Sequence, residues 1–488
     1  MIRIKFILSI LLLIISIVSV HSQNLIEIIE KSEKAVFESH SYDNKGHVIG
    51  NAAGFFISPN GLAITMSSIF EKADSASIEL RSGRKYSIER VISVHPYTNL
   101  ALIKVEPSRS RPFNYLLPSK ISFRENEEIL TMILPQKDDD ADGTYLAEVS
   151  EIKYFPFISR SGVINQNVSH HTNGAPAINY KGELVGILKS HAQKNKKIIY
   201  NSYLLNDSNW VDINQKVPNV KMNPEISSLL SPEISEGIFN IIVEDYIDAA
   251  RELSKHINQT IEDVEGKCLR AYARHKYNNK VGSREDFVDC NRIDPNYFLQ
   301  YYLKGLIDME ENKKDDAHIN FTLCLDNQPN FAAAIVQQAM IDLDRRENIQ
   351  EAFNRCSEAI LHDSLEATAY YERSRLRFQH SDNKEGTLDD VNKTIYLNPN
   401  LPGIYTLRGI IRADNQDLLG AIEDYDRAIE KDPKDVHAYI NRGIAKYNIG
   451  LKEEACNDWS TAGNLGNYNA YKYLSRYCKE VNRSIYPN

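Results

Sequence analysis

The chain has 488 residues and carries 57 Lys+Arg against 66 Asp+Glu, a formal net charge of −9. That balance excludes a general nucleic-acid binder, which needs a basic face to meet phosphate. The length suits two or three domains, and a mean hydropathy of −0.41 excludes a chain built of membrane spans.

Residues 1–22 read as a secretory signal peptide. Arg3 and Lys5 precede an apolar run from Phe6 to Val20, and Val20 and Ser22 place small residues around a cleavage site after Ser22. The run is shorter than the roughly 20 residues of a spanning helix, which disfavours an uncleaved anchor. No cysteine follows it to carry a lipoprotein lipid. The expectation is an exported protein, periplasmic or extracellular, with no stable membrane insertion once the signal is cut.

Residues 26–215 read as β structure. Ala52 to Thr65, Ser77 to Val94 and Leu100 to Val105 are short runs rich in Ile, Val and Leu, punctuated by Pro59-Asn60-Gly61 and Ser82-Gly83-Arg84. Many short strands with turn signals predict a sandwich or barrel.

Three motifs inside this region carry more. Gly54-Phe55-Phe56-Ile57-Ser58 is followed by Gly61-Leu62-Ala63-Ile64-Thr65-Met66-Ser67-Ser68. The second is His95-Pro96-Tyr97-Thr98-Asn99-Leu100-Ala101-Leu102-Ile103-Lys104-Val105. The third joins His171-Thr172-Asn173-Gly174-Ala175-Pro176-Ala177-Ile178-Asn179 to Gly182-Glu183-Leu184-Val185-Gly186-Ile187. In this order and spacing they resemble the triad-bearing segments of trypsin-like serine proteases of the HtrA/Deg type. The resemblance implies a double β-barrel and puts Ser68 at the base position, Asn99 at the orienting-carboxylate position and Asn173 at the nucleophile position. It also puts His171 where the family has an oxyanion-hole glycine.

Acyl transfer by such a triad needs a hydroxyl nucleophile, an imidazole to take its proton and a carboxylate to hold the imidazole tautomer. An asparagine amide is neither basic nor nucleophilic near neutral pH, and a serine cannot replace the imidazole. Removal of triad members costs on the order of 10⁴ to 10⁶ in turnover. The expectation is a protease fold without protease catalysis. The alternative is a serine-protease-like hydrolase with a rewired site near His170, His171 and Ser169. Asp138, Asp140, Asp142 and Gly143 open like a calcium loop, but Val149 stands where the bidentate Glu belongs. No metal and no cofactor is therefore expected.

Asp212 to Pro232 holds Pro218, Pro224 and Pro232 among polar residues and reads as a linker. Residues 216–260 are assigned to linker and a leading helix over Glu233 to Thr260. From 261 to 480 the chain is helical and repetitive. Pro399 and Pro433 lie 34 residues apart, and the same shift relates Arg408-Gly409 to Arg442-Gly443, Ala421 to Ala455 and Tyr425 to Trp459. This period and pattern resemble the tetratricopeptide repeat (TPR), a helix–turn–helix unit. About six units are expected between 264 and 469, with a capping helix over Asn469 to Cys478.

Such a solenoid exposes a concave groove that takes peptide or protein partners. The resemblance assigns Tyr302, Leu306, Val336, Met340, Tyr371, Phe378, Ile410, Ile440, Ile444 and Tyr447 to it, the alternative being that some of them only pack the solenoid. All six cysteines lie in this half. Cys268 with Cys290, and Cys456 with Cys478, are each 22 apart and are disulfide candidates; thiols filling small-residue positions are the alternative. The whole is a multidomain chain: an all-β trypsin-like double barrel, then an all-α TPR solenoid. Its expected role is that of an exported, non-catalytic scaffold with a protein or peptide partner and no nucleic acid.

Overall fold

The structure, a computed structural model, describes residues 25–107, 112–132, 143–155, 159–165, 173–190, 197–206, 209–220, 232–380 and 384–478. Cα proximity divides the chain into two compact units, 1–295 and 296–488.

The first unit contains two closed barrels. β1 (Val36–Tyr42), β2 (Val48–Phe56), β3 (Leu62–Met66), β4 (Ser75–Leu80), β5 (Lys85–His95) and β6 (Leu100–Val105) lie in the order β5-β4-β1-β2-β3-β6, and β5 pairs with β6 to close the ring. The long apolar runs of the sequence are thus cut at their turns into hairpins. Gly61 makes one of them, with φ of 87°. A Cβ there would sit 1.8 Å from the Val105 carbonyl oxygen, so no other residue fits. Phe37, Phe55, Phe56, Ile64, Ile78, Val91, Val94 and Ile103 fill this barrel.

The second barrel is built from β7 (Glu128–Met132), β8 (Thr144–Phe155), β9 (Ser159–Asn165), β10 (Pro176–Ile178), β11 (Leu184–Ser190) and β12 (Lys197–Asn201), in the closed order β10-β11-β12-β9-β8-β7. Phe123, Ile129, Val149, Ile152, Val185, Leu188 and Ile199 form its core, and Ala53 of β2 joins the same cluster. The chain then returns to the first barrel. β13 (Val211–Lys216) pairs with β5, so the start of the expected linker is a strand.

One helix was expected over Glu233 to Thr260; there are two, Pro232–Ile242 and Tyr246–Gln259. Glu244 takes left-handed backbone at φ of 59°, and Asp245 caps the second helix by accepting from the Asp248 amide. The Pro232–Ile242 helix is tied to the second barrel: the buried Lys189 pairs with Glu236 at 2.5 Å, and Lys153 with Glu244 at 2.8 Å. A helix pair, Val264–Lys276 and Lys280–Ile293, completes this unit.

The second unit is a run of helix pairs: Phe298–Glu310 with Lys314–Asn327, Ala332–Arg346 with Ile349–His362, Ala367–His380 with Lys384–Leu397, Ile404–Asp414 with Leu418–Lys431, and Val436–Asn448 with Lys452–Asn464. Ala470–Tyr477 caps it, fastened by the Cys456–Cys478 disulfide.

The repeat pattern has a physical basis at each position. Gly305, Gly409 and Gly443 leave room on the first helix for an aromatic ring 16 residues later: an added Cβ would stand 2.5 Å from Phe321, Tyr425 and Trp459 respectively. Ala421 and Ala455, fully buried, let the paired helices close. Beside Tyr425 and Trp459 lies a buried ion pair. Arg408 forks onto Asp424 with contacts of 2.6 to 3.0 Å and reaches back 3.1 Å to Asn392. Arg442 does the same to Asp458 and Asp426, and Arg373 to Asp390 and Ser357. Within the first unit, Arg270 binds Asp286 and Ser254 in the same way.

Candidate functional site

β3 delivers Ser67 and Ser68 into a short 3-10 turn, Ser67–Phe70, while the turn between β5 and β6 delivers Asn99. Asn99 is buried and takes left-handed backbone at φ of 59°, a conformation that asparagine tolerates better than most residues. Its side-chain Oδ1 accepts from the Ser67 hydroxyl at 2.7 Å and from the Ser68 backbone amide at 2.7 Å. Its Nδ2 donates to the Ser68 hydroxyl at 3.0 Å, and its carbonyl accepts from the Ser67 amide at 2.8 Å. Ser68 and Asn99, the residues that the resemblance would put at the base and orienting positions, therefore touch. The contact is one between a neutral amide and two hydroxyls. No group in it titrates near neutral pH.

Asn173 is held elsewhere. Its Oδ1 accepts from the Ser190 amide at 2.6 Å and from the Ser190 hydroxyl at 3.0 Å, at the end of β11. Its backbone carbonyl accepts from Ala53 of β2 at 3.0 Å, which ties the turn to the first barrel. Gly174, at φ of 87°, donates to the Leu188 carbonyl, and a Cβ on it would stand 2.5 Å from the Ala53 oxygen and 3.3 Å from Met66. The turn thus abuts the end of β3, two residues from Ser68. The Asn173 turn, Ala53 of β2 and Met66 at the end of β3 are thus in contact where the two barrels meet. The Asn173 amide oxygen is held by Ser190.

His170, His171, Ser169 and Asp138 to Asp142 lie outside the described residues. Val149 is fully buried in the second barrel. Among the described residues, no group of three His, Cys, Asp or Glu side chains is arranged to hold a metal ion, and no helix is long and apolar enough to cross a membrane.

The ten groove candidates divide. Leu306, Met340, Tyr371, Phe378, Ile410, Ile440, Ile444 and Tyr447 are half-buried along the first helices of their pairs. Tyr302 and Val336 are a correction: both belong to the core. The Tyr302 ring packs edge-on against Phe331, centroids 4.9 Å apart, and lies 6.0 Å from Phe321, because Gly305 one turn later opens space beneath it. Tyr447 is drawn into the aromatic cap with Trp459 and Tyr477.

Sequence reasoning missed two partners. Ser67 and Ser190, which bind the two asparagines, are invisible because only folding brings them near. The Arg–Asp ladder was legible, since Arg408 to Asp424 and Arg442 to Asp458 keep one spacing of 16.

The geometry agrees with the comparisons. Serine protease HTR4 of Bos taurus is 25% identical over 148 residues, covering 28% of this chain and 29% of its own length. Serine protease HTRA4 of Mus musculus is 26% identical over 149 residues, with the same coverages. A family model described as TPR repeat matches residues 409–450. The N-terminal half is homologous to HtrA-like serine proteases, and the C-terminal half carries a TPR repeat in a helical solenoid. The chain spans under a third of the length of those curated relatives. Two solved structures of MamA also match, at 23% and 22% identity and a TM-score of 0.29 each, covering 34% and 37% of this chain and 96% and 94% of theirs.

Proposed function

We propose that this protein is an exported, non-catalytic interaction scaffold in which a pseudoprotease domain is joined to a peptide-binding TPR solenoid. The observation that carries the reading is the pair of closed hydrogen-bond sets, Ser68 with Asn99 and Asn173 with Ser190. Among the described residues, these two sets hold no imidazole, no carboxylate and no hydroxyl paired with a base. Export rests on the basic and apolar pattern of residues 1–22. Partner binding rests on the half-buried apolar first helices of the solenoid, with Tyr371 and Ile410 at their centre.

The purified mature protein should leave casein uncut and take no label from a serine-directed fluorophosphonate, beside an HtrA-like protease as positive control. Labelling, or cleavage that survives stringent purification, would establish the hydrolase reading instead. N-terminal sequencing of the protein recovered from its native host should begin at Gln23. Charged replacements of Tyr371 and Ile410 should abolish capture of a partner while circular dichroism stays unchanged, and Asn173→Ala should not. Capture lost with Asn173→Ala but kept in the groove variant would move the binding function to the barrels.

A further inference from the structure

Cys268 lies on the Val264–Lys276 helix and Cys290 on the Lys280–Ile293 helix, two antiparallel elements joined by a three-residue turn. Both side chains are fully buried, and the Cys268 thiol donates to the Cys290 sulfur at 2.9 Å. Cys290 also approaches the Val264 carbonyl at 3.5 Å, so the two sulfurs are held against each other by the close of the hairpin. The arrangement is confined to this pair of helices. One 34-residue period later the Cys290 position is Cys324, but the Cys268 position is Tyr302, an aromatic ring. Cys324 and Cys356 meet no second sulfur there, and burial pushes both thiols up to about 12, where they are poor nucleophiles.

We propose that Cys268 and Cys290 form a second disulfide that staples this hairpin, leaving Cys324 and Cys356 reduced. The chemistry balances by thiol–disulfide exchange. One thiol loses its proton and attacks a sulfur of a disulfide donor, expelling a thiolate. The other thiolate then displaces the donor from the mixed disulfide, so two thiols are oxidised and one donor disulfide is reduced to two thiols. Oxidised glutathione is a sufficient donor. The proposal stands on the hairpin alone and does not depend on the export or scaffold reading.

The test refolds the full chain with oxidised glutathione, blocks remaining thiols by alkylation under denaturing conditions without reductant, and maps the peptides by mass spectrometry. The expected result is a cross-linked peptide joining Cys268 to Cys290, with alkyl groups on Cys324 and Cys356 only. Alkylation of both Cys268 and Cys290, or cross-links scrambled onto Cys324 or Cys356, overturns it. A second measurement uses a Cys456→Ser, Cys478→Ser variant, in which the terminal disulfide is gone. Reductant should still lower its denaturant midpoint, and that sensitivity should vanish when Cys268→Ser is added. A midpoint indifferent to reductant in the first variant overturns the proposal.

Discussion

At residue 99 one amide organises a loop. It accepts from Ser67 and Ser68 and donates to Ser68 while its backbone is left-handed, so it serves as both hydrogen-bond hub and turn former. Asn99→Ala should cost about 2–4 kcal/mol in denaturant unfolding, from buried partners left unsatisfied and from left-handed backbone strain. Asn99→Asp should cost under about 1 kcal/mol, because a carboxylate keeps both accepted bonds and the Ser68 hydroxyl can turn to donate. Equal stability of the alanine variant and wild type would rule out this role. Glu372 gives a different residue-level test. It is nearly buried, and burial, with Asp344 adding repulsion, raises its carboxyl pKa despite Arg375 at 3.2 Å. The folded state therefore binds the proton more tightly than the unfolded state, and this residue's contribution to stability falls as pH rises from its unfolded value near 4.5 through the raised folded value. Glu372→Gln should be at least as stable as wild type at neutral pH, with an advantage that shrinks on acidification. An advantage that grows toward acid would reverse the assigned sign.

Two helix pairs of the solenoid, Ile404–Asp414 with Leu418–Lys431 and Val436–Asn448 with Lys452–Asn464, are each assembled around a glycine, a ring and a forked ion pair. The glycine costs helix propensity, yet alanine would be worse where the ring lies. Gly409→Ala and Gly443→Ala should each destabilise by about 1–3 kcal/mol through overpacking against Tyr425 and Trp459, although alanine is the better helix former by about 1 kcal/mol. A rise in melting temperature for either variant would show that the rings can yield. The ladder of Arg373, Arg408 and Arg442 adds specificity of register, since each guanidinium binds its own second helix and the one before it. A point charge such as lysine cannot reproduce that fork.

The division into two compact units falls after Pro295, well after the proline-punctuated stretch where composition changes. A fragment starting at Asn296 keeps five helix pairs and the disulfide-fastened cap, so it should be soluble, helical and cooperative in unfolding. Reducing Cys456–Cys478, which closes a separation of 22 residues, should lower its stability by about 3 kcal/mol if chain entropy dominates. A fragment that is helical only in the presence of residues 1–295 would show that the division by compactness is not a division of stability. In the first unit, the buried Lys189–Glu236 pair binds the helix Pro232–Ile242 to the second barrel, next to the serine that holds Asn173.

What sequence alone determined was whatever rests on local periodicity. Strand runs ended by Pro59-Asn60-Gly61 and Ser82-Gly83-Arg84, and a 34-residue recurrence of Gly, Ala and aromatic residues, were enough to read a β half and a repeat half. Motif order was enough to read a resemblance to HtrA-like serine proteases over the β half. The tertiary structure decided what depends on contacts between distant segments: Ser67 and Ser190 as the partners of the two asparagines, Ala53 as a residue shared by the two barrels, and Lys189 against Glu236. It also decided which apolar first-helix positions are surface. Tyr302 and Val336 share their period with Tyr371, but neighbouring rings and glycines, not spacing, set the depth of each. Burial is a property of what surrounds a side chain in three dimensions, and a repeat pattern fixes its direction without fixing its neighbours.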